Sequence, residues 1–510
     1  MYEWTIACSF LLLIISIYYW LNRYSYFDKL DVIHKKPLPF VGNSLPFLIR
    51  SKTFAEFIED AYNLDRDAKY VGLYDFSDPV VVIRDPELIK NITIKSFDHF
   101  VDHRTIIDSE QEPLFTKNLF GLRGNQWREV RNLLSPAFTS SKMKAMFKLM
   151  SDCAENFADY LKANADNEST INSKDAFTKY TTDVIATCAF GVAVDTMRNP
   201  NNEFYVLGKK ATSFDGIVML FKFFMMRASP TLSKLFGIRF TDRRVEIFFT
   251  ELVKNTIETR DREGITRPDM IQLMMESRNN KPGDGPILTI QDMVCQAFVF
   301  FFGGFDSTSS VMCFVAHSIS TNPNIQKKLQ DEVDDVYEKC GESLTYEAIN
   351  NMEYLDATIN EALRLFPIQP AVDRVCTKTF ELPPALPGRK SVIIKPGDGV
   401  FLPIYALHRD PEFFPNPNEF YPERFLEDPK GTLHSPAYMP FGAGPRMCIG
   451  NRFALLEIKV LLFHLLAKCT LRPGKNMILP LELSKTSFAM TAKGGFWLSL
   501  EPRNKWNKKL

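Results

Sequence analysis

From Thr289 the sequence reads TIQD, a capping-box pattern, and then meets no proline until Pro323. The helix this predicts is about 32 residues, or ~48 Å, long. A helix of that length carrying the apolar run Phe298 to Phe302 has to cross the centre of the molecule, and the rest of the chain must be built around it. Its middle nonetheless reads GGFDSTSS. Two adjacent glycines cost roughly 1 kcal/mol each against alanine in a helix interior, so Gly303 and Gly304 need a packing or functional reason. Close approach of a flat, bulky group would be one.

Helical periodicity dominates the middle of the chain, while strand-like runs such as VVVI (Val80 to Ile83) and SVIIK (Ser391 to Lys395) fall in the first and last thirds. The predicted fold class is mainly α with small β-sheets. With 510 residues and 45% apolar content the chain can bury a large core, and length alone permits two or three domains. The charged, Gly/Pro-bearing SRNNKPGDGP (Ser277 to Pro286) reads either as a domain boundary or as a surface loop. Basic and acidic residues balance at 61 each, which argues against a polyanionic partner, so no nucleic acid is expected. Nine scattered cysteines, mostly in apolar helical stretches, read as reduced thiols in a cytosolic environment.

Residues 4–21 (WTIACSFLLLIISIYYWL) carry no charge and would span roughly 27 Å as a helix, enough for a thin bilayer core. Glu3 precedes the span, no small-residue cleavage pattern follows it, and Arg23, Lys29, Lys35 and Lys36 lie beyond it. That distribution predicts an uncleaved single-pass anchor, with the rest of the chain cytosolic, rather than a signal peptide. Prolines 37 and 39 in KKPLPFVGN are expected to hold a short, stiff, extended connector.

Near the C-terminus, PFGAGPRMCIG (Pro440 to Gly450) places one cysteine among three glycines and close to an arginine, with no second thiolate or histidine at zinc-binding spacing. Glycines 442 and 444 permit tight turns around the sulfur, and the apolar run Asn451 to Leu466 predicts a helix starting just after it. A thiolate at that helix N-terminus would receive backbone N–H groups and a favourable dipole, lowering its pKa. Arg446 adds a permanent positive charge. An isolated anionic sulfur ligand with a carboxylate clamp nearby suits haem, whose iron accepts one axial thiolate and whose propionates need arginines.

At this point the sequence resembles a known family. Phe441, Gly444, Arg446, Cys448 and Gly450 match the F-x-x-G-x-R-x-C-x-G signature of the cytochrome P-450 monooxygenases. EALR (Glu361 to Arg364) resembles the family's E-x-x-R element, YPERF its P-x-R-F element through Arg424, and WREVR its W-x-x-x-R element through Trp127 and Arg131. GGFDST resembles its oxygen-activation motif, and the likeness covers essentially the whole chain. It is similar to the microsomal clan of vertebrate drug-metabolising and insect detoxifying members, nearer the insect side. The resemblance implies a transmembrane signal anchor over 1–22, a proline-containing linker over 23–45 and a single haem domain over 46–510, so the apparent boundary near 280 becomes a loop.

The same resemblance assigns roles. Cys448 is expected as the axial ligand of haem b (iron protoporphyrin IX), its electron donation favouring O–O cleavage. Phe441 and Gly450 shape the loop, and Trp127, Arg131, Arg374 and Arg446 hold the propionates. Arg123 and Arg128 read as a solvated basic face, able to dock an acidic redox partner. Glu361, Arg364 and Arg424 form a buried structural network. An exposed i,i+3 pair would be worth only a few tenths of a kcal/mol. Asp306, Ser307 and Thr308 form a polar notch for proton delivery, with serine at 307 where the family usually has threonine; the serine loses the methyl that restricts its rotamer. Val299 and Gly303 share a face with Ser307, with Phe302 adjacent, and all three are expected beside the substrate, with Gln369 and Pro370 after the E-x-x-R element. FDGIVMLFKFFMM (Phe214 to Met226) resembles the family's lid.

The function so implied is monooxygenation of a lipophilic small molecule, foremost a xenobiotic, using O₂. Electrons would come from an NADPH-dependent flavoprotein reductase, with cytochrome b5 as a second donor, at the endoplasmic reticulum membrane. No dinucleotide or phosphate-loop fingerprint occurs in the chain, in keeping with a separate reductase. Oxidation of an endogenous hormone or lipid, a haem-thiolate isomerase or dehydratase, and a non-catalytic haem sensor are the alternatives.

Overall fold

The computed structural model describes residues 23–505 apart from 105–111, 166–169, 214–215, 229, 268, 280–284, 341–343 and 488. The apolar segment 4–21 therefore lies outside the described residues, as do the first two residues of the lid-like run and the middle of SRNNKPGDGP.

The long helix forms as its sequence predicts. Thr289 Oγ1 accepts from the Asp292 N–H at 3.1 Å and Asp292 Oδ2 from the Thr289 N–H at 3.0 Å, so the capping box is closed from both sides. Continuous helix then runs from Ile290 to Thr321, 32 residues. It is apolar and long enough to cross a bilayer, but most of its surface is buried inside the protein. Its helicity changes midway: Ile290–Phe302 and Thr308–Thr321 are α-helical, and the turn between them, Gly303–Ser307, is π-helical.

Around it the described residues are mainly helical, with three small sheets among them. The strands are β1 Tyr70–Asp75, β2 Asp78–Ile83, β3 Ile171–Asn172, β4 Val372–Val375, β5 Phe380–Leu382, β6 Val392–Ile394, β7 Gly399–Leu402, β8 Cys469–Pro473 and β9 Trp497–Pro502. The largest sheet has the order β1-β2-β7-β4, with β2 and β7 parallel and the other pairs antiparallel. The helices used below are α1 Gly124–Leu134, α2 Ser140–Asn164, α3 Ser173–Ile185, α4 Glu203–Thr212, α5 Ile217–Ala228, α6 Pro230–Leu235 and α7 Arg243–Glu263. They are followed by α8, the long helix, then α9 Glu353–Leu365 and α10 Asn451–Lys468.

Aromatic packing seats α8. Phe301 is fully buried, with Phe249 of α7 at 5.0 Å and Phe305 stacked at 4.9 Å between ring centroids. Gly208 of α4 lies so close that a Cβ there would come within 2.4 Å of the Phe301 ring. Much of the phenylalanine content is thus core rather than pocket lining.

The connector departs from expectation. Leu38 and Gly42 exchange backbone hydrogen bonds of 2.8 and 2.9 Å, closing a turn in which Phe40 has φ +65°. The prolines bracket a fold-back instead of an extended strut, because Gly42 pairs onward with Asp75 at the end of β1.

Candidate functional site

The cysteine loop is shaped by close backbone contacts. The Cys448 N–H donates to Phe441 O at 2.9 Å, and Gly442 and Gly444 take φ of +76° and +71°. At Gly444 no side chain fits, since a Cβ would meet the Thr93 carbonyl oxygen at 1.9 Å. Helix α10 starts at Asn451, with Gly450 as its N-cap. Cys448 is exposed although protein surrounds it, which places its thiol on the wall of an interior cavity. Burial raises its pKa, while the Gly450 backbone N–H and Arg131 act to lower it. The lowering predicted from the helix terminus alone is thus corrected: in the protein by itself desolvation outweighs it.

Behind that loop a buried ion network holds it in place. Glu361 and Arg364 on α9 are fully buried and form a two-pronged pair, Nε to Oε2 and Nη2 to Oε1, each 2.8 Å. Arg424 reaches the same carboxylate at 3.5 Å. Arg364 also donates to the carbonyls of His408 and Pro417, at 2.7 and 2.8 Å. His408 carries the connection onward. Its Nε2 accepts from the Met439 N–H at 3.0 Å, which fixes Nδ1 as the protonated nitrogen, donating to Arg364 O at 3.1 Å. Met439 immediately precedes the cysteine loop.

The four residues assigned to propionates divide into two kinds. Arg446 lies with its guanidinium 4.2 Å above the Trp127 ring. Its N–H groups point to the carbonyls of Val101, Leu119, Phe120 and Leu122 and to Asp102 Oδ1, over 2.6–3.5 Å. Its fork is therefore spent within the protein, which leaves only its charge to offer an added carboxylate. Arg374 is almost wholly buried and donates through Nη1 to Asp373 O at 2.7 Å, while its Nε has no hydrogen-bond partner among the described residues. Arg131 is half-buried and within electrostatic range of Cys448. Burial pushes Arg374 down to about 10, and burial with repulsion from Arg374 pushes Arg446 down to about 9. Arginine keeps its proton, so these are buried cations short of negative charge. Of the neighbouring arginines, Arg128 pairs with Asp98 at 2.5 Å and Arg123 is exposed.

On α8, Gly303 is exposed in the middle of a mostly buried helix, and nothing lies within 4 Å of where its Cβ would be. Val299, Phe302 and Ser307 are partly exposed with it, and the Ser307 hydroxyl donates to Gly303 O. The predicted notch is split, however. Asp306 Oδ1 meets Lys174 Nζ of α3 at 2.8 Å, and the same ammonium donates to Asp306 O, Ser309 Oγ and Ser310 Oγ at 2.7–2.9 Å. Thr308 is buried. Thr181 of α3 donates to Phe305 O at 2.8 Å, so side chains of α3 occupy carbonyls of the π turn. Gln369 is exposed, and Pro370 is buried with its carbonyl accepting from Tyr405 N–H at 2.9 Å. Sequence reasoning missed Lys174, one of two lysines on α3 and with no local signal that it turns to α8, and His103. The latter lies 3.1 Å from Asp373 and stacks on Phe120 at 4.5 Å.

The cytochrome P450 family profile matches residues 34–498. The chain belongs to the cytochrome P450 family. Cytochrome P450 9e2 of Blattella germanica is 43% identical over 527 aligned residues, covering 98% of each chain. Cytochrome P450 9b2 of Drosophila melanogaster is 36% identical, over 96% of this chain and 97% of that one, and cytochrome P450 6j1 of Blattella germanica is 33% identical over 98% of both. The likeness to insect members is thus confirmed. As a P450 the protein is a haem-thiolate monooxygenase that takes O₂, a small-molecule substrate and a redox partner, and binds haem b through a cysteine thiolate. The residues present fit that group: an exposed thiol on a cavity wall, under-compensated buried arginines with one orphaned N–H, and a glycine face on α8 clear of side chains.

Proposed function

We propose that this P450 is an anchored enzyme of the endoplasmic reticulum membrane that oxidises lipophilic small molecules, xenobiotics foremost. It takes electrons from an NADPH-dependent flavoprotein reductase and, as a second donor, cytochrome b5. The observation that carries the reading is the interior apolar face of Val299, Phe302 and Gly303, continuous with the single hydroxyl of Ser307. Such a wall selects substrates by shape and apolar area rather than by paired charges.

In this reading Cys448 is the axial ligand, Arg374 and Arg131 face the propionates, and Trp127 steadies Arg446 behind them. When bound, the haem supplies activation of O₂, one atom going to substrate and the other to water. The protein's part is to place protons. Ser307 Oγ, turned to Gly303 O, is the hydroxyl that hands a proton on. Asp306 relays a proton to it only after leaving Lys174, which holds the carboxylate at 2.8 Å, and taking up a proton from solvent. The anchor reading is supported by exposed apolar side chains in and just after the connector and on α5, among them Phe40, Ile49, Ile217 and Phe221. The domain division is likewise proposed: anchor 1–22, linker 23–45, haem domain 46–510.

The test is the CO difference spectrum of the dithionite-reduced, membrane-bound protein, followed by NADPH-driven turnover of a panel of lipophilic compounds with purified reductase. A Soret band far to the red together with turnover supports the reading. A red-shifted band without turnover of any apolar compound refutes the substrate class.

A further inference from the structure

The β1–β2 hairpin ends in Asp75-Phe76-Ser77-Asp78, and Asp75 and Asp78 are cross-strand partners. Like charges placed directly opposite one another destabilise a hairpin, so this turn needs cations from elsewhere. Three arginines provide them, each from a different part of the chain. Arg23, two residues past the apolar segment, donates to Asp78 Oδ1 at 2.5 Å and to Ser77 O at 2.9 Å. Arg104 donates to Asp75 Oδ2 at 2.9 Å and lies 3.6 Å from Asp78 Oδ2. Arg227, at the end of α5, donates to Asp75 Oδ2 at 3.1 Å and to Asp78 Oδ2 at 2.6 Å. Salt reaches the cluster from its Arg23–Asp78 edge, where the side chains are 38% and 33% exposed, while Arg104 and Arg227, each 12% exposed, are screened less than surface charges are.

Much of the apolar surface of the α5–α6 flap faces outward. Ile217, Val218, Phe221, Leu235 and Phe236 on it and just beyond are all more than half exposed. Its ties to the hairpin are Arg227 and the Phe76 ring, which lies 6.3 and 5.9 Å from the rings of Phe223 and Phe224. Phe76 sits at φ +57° and is buried, so the turn is bent to present this ring and both carboxylates together.

We propose that Arg23, Asp75, Asp78, Arg104 and Arg227 form an electrostatic latch that seats the α5–α6 flap over the route to the pocket, and that Arg23 couples the seating to the membrane-proximal start of the folded chain. The latch delays bulky lipophilic molecules and leaves small ones unaffected. It rests on the reading of the 214–226 region as a cover for the pocket.

The experiment uses the haem-loaded full chain and two azoles that report by the same haem spectral shift, clotrimazole as the bulky probe and imidazole as the small one. Raising KCl from about 20 mM to about 500 mM shortens the Debye length severalfold. The association rate of clotrimazole then rises by about 5-fold, in line with the loss of one modest ion pair, while that of imidazole stays constant. Arg227→Gln gives the fast clotrimazole rate already at low salt, and Arg23→Gln gives an intermediate one. Arg227→Lys, which keeps the charge, preserves the salt response if the glutamine variant fails to load haem. A clotrimazole rate in Arg227→Gln equal to wild type at every salt concentration overturns the latch. If the wild-type protein admits both azoles equally fast at low salt, the covering role of the flap fails, and the latch with it.

Discussion

Replacing Glu361 by glutamine tests the buried network behind the cysteine loop. Glu361 and Arg364 are both fully buried, and the carboxylate accepts from Arg364 Nε and Nη2 and from the Tyr421 N–H while facing Arg424 at 3.5 Å. Glutamine keeps the shape but carries no charge and offers one acceptor oxygen in place of two. Arg364 is then a buried cation facing an amide, and removing one partner of a buried pair costs about 3–5 kcal/mol. Against a typical total of about 5–15 kcal/mol, that is a large fraction. The path from Arg364 through His408 to Met439 makes the cysteine loop the first region to loosen. Glu361→Gln should therefore lower the urea midpoint and yield protein with little of the red-shifted CO band. The double variant Glu361→Leu with Arg364→Met should be less destabilised than the single one, because of the two arginines that share the carboxylate it leaves only Arg424 without one. A single variant with a wild-type midpoint and full haem content would refute this account.

Other outcomes follow from separate contacts. Cys448→Ala should abolish the red-shifted CO band while leaving the far-ultraviolet circular dichroism unchanged; persistence of the band would remove Cys448 as the ligand. Ser307→Ala should raise peroxide released per NADPH, by roughly the 10²-fold scale of a lost general acid at most, and Ser307→Thr should not; equal coupling in all three proteins would take Ser307 out of proton delivery. Gly208→Ala forces a methyl to 2.4 Å from the enclosed Phe301 ring and should cost about 1–3 kcal/mol, read as a lower melting temperature. His408 and His464 are each pushed down to about 3, chiefly by burial, so both stay neutral in the fold while the unfolded chain protonates them near pH 6.5. Stability should fall as pH drops from about 6.5 towards 3, by up to ~1.4 kcal/mol per pH unit for each histidine; a flat profile in wild type, or an unchanged slope in His408→Gln, would contradict the neutral assignment.

The reach of sequence reasoning differs from element to element. The long helix was legible at both ends because its cap and its terminating proline are local signals. The π turn was not, since the glycine pair announces only that something is needed there, and the carbonyls involved are occupied by Lys174 and Thr181 from a different helix. The E-x-x-R pair was legible through its spacing and family likeness, but the path to Met439 through the two ring nitrogens of His408 needs coordinates. Arg446 was readable as a cation beside the cysteine. That its Nε bonds a carbonyl 345 positions away leaves no trace in any local pattern. Lys35 to Asn43 misled because proline rules out helix yet does not choose between an extended strand and a reversal.

The wide turn at Gly303–Ser307 puts the two halves of the long helix out of phase. An α-helix advances about 100° per residue, so the one residue that a π turn adds rotates everything from Thr308 onward by about a quarter-turn relative to an uninterrupted α-helix. The face of Val299 and Gly303 and the packing surface of the second half are thus set independently, like two cams keyed to one shaft. Closing that turn to regular α-helix with no residue removed would leave a helix of almost the same length, yet every side chain after it would point to a wrong neighbour.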